Sequence, residues 1–132
     1  MKQAERAIVW LLRVLGGFAL AAIPAIFFPY GWMNAIHQLL GLGTLPEAPI
    51  VGYLARSLSM FYALWGAIIV FASTDMRRYR ALITLLACTS IIVGVTLLGI
   101  DYMSGMPLHW TLIEGPFTVG IGVAILALQR RC

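Results

Sequence analysis

Apolar residues run through this chain in four long, nearly unbroken blocks, at about residues 7–28, 50–72, 81–100 and 108–128. Short stretches rich in polar residues, glycine and proline separate them. Charges inside the blocks are few: Arg13 in the first, Arg56 in the second, none in the third and Glu114 in the fourth. About 20 residues at 1.5 Å per residue reach roughly across the 30 Å hydrocarbon core of a bilayer. Within lipid only helices and closed barrels pair all their backbone polar groups. The period-two alternation of barrel strands is missing, so the pattern predicts an all-α fold. The expectation is one domain over residues 1–132, a bundle of four transmembrane helices.

A shorter element lies between the first two blocks. In residues 31–40, Gly-Trp-Met-Asn-Ala-Ile-His-Gln-Leu-Leu, a helical turn of about 100° per residue gathers Trp32, Met33, Ile36, Leu39 and Leu40 on one face. Asn34, His37 and Gln38 gather on the other. This predicts an amphipathic helix too short to cross, lying in the membrane interface with Tyr30 and Trp32 at headgroup depth. Pro29 marks its start and Gly41-Leu42-Gly43 its end, while Pro46 and Pro49 extend the approach to the second span.

Composition agrees with this reading. The chain of 132 residues is 61% hydrophobic and 11% charged, against about 45–50% and about 25% in soluble domains. Nine basic and five acidic residues cannot solvate the surface of a globule this large. A soluble enzyme, a disordered tail and a disulfide-stapled secreted module are excluded. Cys88 falls in mid-span as a small packing residue, and Cys132 is the last residue of the chain, so no paired-thiol or cysteine-based metal site forms.

The basic residues report topology. Lys2 and Arg6 precede the first span, Arg77, Arg78 and Arg80 join the second to the third, and Arg130 and Arg131 follow the fourth. The connections 29–49 and 101–107 hold no Lys or Arg and carry Glu47 and Asp101 instead. The positive-inside rule places both termini in the cytoplasm. A net charge of +4 is thus a topology signal, and no basic, aromatic-interleaved surface calls for nucleic acid. Ala19-Leu20-Ala21 has the spacing of a signal-peptide cleavage site, but Arg13 interrupts the apolar core and the run continues to Phe28. The first segment is expected to remain as a span.

The charges within spans carry the chemistry. Arg56 and Glu114 each lie about six residues, or about 9 Å, from the outer end of their helices. Intramembrane charges normally face the bundle interior and pair, so the two are expected to meet, with Tyr53 one turn outward. Pro116 should kink the fourth helix beside Glu114. His37, His109 and Asp101 add polar groups at the same end, and the six residues together form the candidate ligand-binding set. The same residues also suit a structural ion pair with wetted histidines. Arg13 snorkels toward the cytoplasmic headgroups. No two of the His and carboxylate groups have the i, i+4 spacing of a helical metal site, so no metal is expected. Gly-x-Ser-x-Gly, His-Glu-x-x-His and phosphate-loop signatures are all absent.

The layout resembles the small four-span bacterial inner-membrane proteins of the DoxX-like kind. The features are the length, the four spans, the lid-like loop from Phe27-Phe28-Pro29 through Trp32 to His37-Gln38, and polar residues near the outer ends. The resemblance implies the membrane fold, and in a few members a link to sulfur or quinone-coupled redox chemistry. It assigns no functional residue. Three function classes stand: a non-catalytic accessory or scaffold subunit, favoured by the missing catalytic motifs; a small-molecule or proton binding or transport protein using the Arg56–Glu114 cavity; and a quinone-linked oxidoreductase component. The expected partners are the lipid bilayer and other membrane subunits or further copies of the chain. No cofactor is specified.

Overall fold

A computed structural model describes residues 2–132. Among them the regular structure is helical throughout: α1 (Gln3–Leu20), a 3-10 turn (Pro24–Phe27), α2 (Tyr30–Leu39), α3 (Pro49–Ala72), α4 (Arg80–Met103) and α5 (Leu108–Gln129). Four segments are long and apolar enough to cross a membrane: α1 with its 3-10 extension, α3, α4 and α5. Large side chains stand outward along them, with Phe18 79% and Phe27 80% exposed. Water would make such faces an aggregation liability, whereas lipid tails solvate them. This is the fold of an integral membrane protein.

Two boundaries differ from the apolar pattern. The first block does not continue as one α-helix, because Pro24 lacks an N–H and its ring crowds the preceding turn. The chain tightens into i→i+3 bonds there, Ala22 to Ala19 and Ile23 to Leu20, each at 3.1 Å. At the other boundary, α4 runs on to Met103 and ends only where Gly105 takes a positive φ of 68°. Asp101, expected in a loop, therefore sits in the last turn of a helix. Cys88, expected to fill packing space, is exposed.

The chain forms two compact units, residues 1–13 with 71–132 and residues 14–70. In the first, α4 and α5 make an antiparallel hairpin whose backbones touch at glycines. A Cβ on Gly94 would lie 2.7 Å from the Gly115 carbonyl oxygen, and one on Gly122 would lie 2.5 Å from that of Ala87. Ile8, Leu12 and Ile83 are the largest fully buried side chains. The basic end is closed by polar ties. Arg80 donates to the Gln129 carbonyl at 3.2 Å, and Gln129 returns a bond to the Arg80 carbonyl at 3.3 Å. The first of these satisfies a carbonyl at the C-terminal end of α5 that a helix otherwise leaves open.

In the second unit, α1 and α3 meet at Gly16 and Gly66, where a Cβ on Gly66 would lie 2.7 Å from the Gly16 carbonyl. The helix α2 ends in a Schellman motif: Leu42 N–H bonds to His37 O and Gly41 N–H to Gln38 O, with Gly41 at φ 72°. The polar side of α2 holds the loop that follows. Asn34 Oδ1 accepts the Leu45 N–H at 2.8 Å, Tyr30 donates its hydroxyl to Leu45 O, and His37 Nδ1 donates to Gly43 O at 2.7 Å. Trp32, Ile36 and Leu39, on the apolar side, are left exposed.

Candidate functional site

The register of α4 on α5 builds a site at the end of the hairpin away from the arginines. A Cβ on Gly115 would lie 3.1 Å from that of Leu98, so these positions are level. Asp101 is one turn beyond Leu98 on the same face, and Glu114 adjoins Gly115. The two carboxyl groups are near enough for their charges to act on each other. Trp110 lies four residues before Glu114 and on the same helix side, and its Nε1–H donates to Glu114 Oε2 at 2.6 Å.

Asp101 is 5% exposed, and its Oδ2 has no hydrogen-bond partner among the described residues. Nearby Thr111 is buried too, but its hydroxyl donates to Pro107 O at 3.3 Å. Two ionised carboxylates are acceptors only and repel each other, whereas one proton turns either into a donor for the other. The neighbouring α5 backbone is also tied: Thr118 Oγ1 donates to the Glu114 carbonyl at 2.8 Å. Pro116 stands inside α5, which continues helical on both sides of it.

The remaining expected site residues distribute as follows. Arg56 belongs to the 14–70 unit and Glu114 to the other, and within its own unit each has a different partner. Arg56 folds back along α3 over Gly52, where a Cβ would come within 3.0 Å of its guanidinium, and donates to Phe28 O at 3.1 Å. It lines a cavity of about 420 Å³ with Tyr30, Met33, Glu47 and Gly52. Tyr53 is exposed on α3, and His109 is exposed in the first turn of α5. His37, expected on a solvated face or under a lid, is engaged with Gly43 O. Trp110 was not among the expected residues, although its i, i+4 spacing to Glu114 is a usable signal. Glu47, in the Arg56 cavity, carries no such signal.

Comparison with protein-family models, curated proteins and solved structures gives no match to this chain.

Proposed function

We propose that this chain is a proton-binding membrane protein whose working group is the Asp101–Glu114 carboxyl pair. The observation that carries this reading is the buried, unpartnered Oδ2 of Asp101 beside a second carboxyl group. Ionisable groups within spans are energetically expensive, and their default reading is functional. Trp110 supplies one fixed donor to Glu114 Oε2. Infrared spectra of the protein in lipid nanodiscs test this. The carbonyl stretch of a protonated carboxylic acid should be present and should vanish as the pH is raised. Asp101→Asn and Glu114→Gln should each abolish it. A band unchanged in both variants would reject the site.

A second reading, a non-catalytic accessory subunit, is supported by an apolar groove along α4 and α5. It measures about 610 Å³ and is lined by Val95, Leu98, Pro116, Gly120 and Val123 among others. Small residues at such a groove allow a partner helix to approach closely.

The proposal sets the protein in a bacterial inner membrane with both termini cytoplasmic and α2 lying in the outer interface, its Trp32–Ile36–Leu39 face toward the lipid. The bias of Lys and Arg to one side supports this orientation, and the layout resembles that of DoxX-like proteins. With Cys88 and Cys132 replaced by Ser, a cysteine at Thr44 should react with a membrane-impermeant thiol reagent in intact cells. One at Arg78 should react only after permeabilisation, and the opposite pattern would invert the topology.

A further inference from the structure

The strongest feature not used above lies at the basic end of the first unit. Glu5, Val9 and Arg13 recur at four-residue spacing and so form one stripe on α1. This stripe faces the connector from α3 to α4 across a pocket of about 410 Å³, whose other walls are Ser73, Thr74, Asp75, Met76 and Arg77. Of the four charged side chains lining this pocket, Glu5 and Arg77 pair with each other, while Asp75 holds a backbone donor. Glu5 receives Arg77 Nε at 3.1 Å on Oε1, and Arg77 Nη2 at 3.3 Å and the Lys2 N–H at 3.0 Å on Oε2. Asp75 Oδ1 accepts the Arg78 N–H at 3.0 Å. Arg13 makes no hydrogen bond or ion pair among the described residues.

An arginine on the flank of a span needs an anion or water at its tip, and its planar fork suits phosphate oxygens in two-point contact. The pocket offers Arg13 on one wall and Arg77, 76% exposed, on the other. We infer that this pocket binds a phosphate group, held by Arg13 and flanked by Arg77. The same chemistry is presented by the headgroup of an anionic phospholipid and by a free phosphate ion. Basic residues at a membrane surface are drawn to anionic lipid headgroups.

The test uses the full chain purified in mild detergent from phosphatidylglycerol nanodiscs, with lipid retention read by native mass spectrometry. A parallel arm measures binding of radiolabelled inorganic phosphate in lipid-free detergent. The wild-type protein should retain phosphatidylglycerol, and Arg13→Gln should lower retention about tenfold, as loss of a hydrogen bond to a charged group implies. Arg131→Gln, which removes the same charge elsewhere, should not. Val9→Phe keeps every charge but fills the pocket, and it should lower retention as well. Phosphate binding that is lost in the same two variants would assign the site to the free ion. Wild-type retention and wild-type phosphate binding in both Arg13→Gln and Val9→Phe would overturn the inference, as would a wild-type protein that holds neither ligand.

Discussion

Alanine at Gly94 or at Gly115 should each destabilise the α4–α5 hairpin by about 1–3 kcal/mol, the usual range for overpacking. The space for a methyl group does not exist at either position. Each new Cβ would lie 2.7 Å from the backbone carbonyl oxygen of the other glycine, and backbone cannot rotate aside as a side chain can. The two substitutions push the same two helices apart at the same level. The double variant should therefore lose less than the sum of the singles. Gly99 and Gly120 are the controls, since nothing lies within 4 Å of a Cβ at either. Alanine there should be neutral or slightly stabilising, because glycine is the poorer helix former. Reversible unfolding in detergent, read by helical circular dichroism, measures all five proteins. Equal effects at Gly94 and Gly120 would refute the close contact. The same experiment bears on the carboxyl pair, because this contact sets the register that brings Asp101 beside Glu114.

Arg77→Gln should be the most damaging charge substitution at the basic end. Glu5 is 4% exposed, and the Arg77 fork supplies two of its three hydrogen bonds. The hydrogen bond from Arg77 to Glu5 and the attraction between the charges raise the guanidinium further above its ordinary value, so Arg77 stays charged at every working pH. Removing it leaves a carboxylate in an enclosed site with a single backbone donor. Thermal unfolding of the purified protein should show a clear loss in Arg77→Gln and partial recovery in Glu5→Gln/Arg77→Gln, since a neutral amide needs no cation. Arg78→Gln should change little, because that guanidinium rests 5.6 Å from the Tyr79 ring centre at the exposed surface. Losses that simply add in the double variant would deny the coupling.

Much of this architecture was legible in the sequence because lipid imposes it locally. A span must be about 20 apolar residues long whatever its neighbours do, and a turn that needs positive φ selects glycine within a few residues. The spans and the end of α2 at Gly41 follow from such local rules. The break after Leu20 had its signal in Pro24. The amphipathic pattern of residues 31–40 also gave the helix, yet it misdirected the reading of its polar side. Asn34 and His37 bind the backbone of residues 43–45, a contact that depends on how the loop turns back.

The site was only partly legible. Glu114 stood out by its depth as the one charge within the fourth apolar block. Asp101 looked like a loop residue, because its charge ends the apolar run and hydropathy alone stops the helix there. The helix continues to Met103 because its backbone bonds continue, as far as the Gly105 turn. Nothing in the sequence ties Glu5 to Arg77, which lies 72 residues away.

The sequence by itself determined the solvent of this protein, its four spans, its amphipathic segment and the sidedness of its charge. These depend on composition over short windows, and the bilayer acts on each window independently. Tertiary structure alone decided that Asp101 is buried against Glu114, that Arg77 neutralises Glu5, and which glycines bear contacts. Gly94 and Gly115 meet a neighbouring backbone while Gly99 and Gly120 face open space, although all four are helical glycines in apolar surroundings. The reason is that helix rotation and register are set by where two backbones can approach most closely. That approach belongs to a pair of helices and is written in neither one alone.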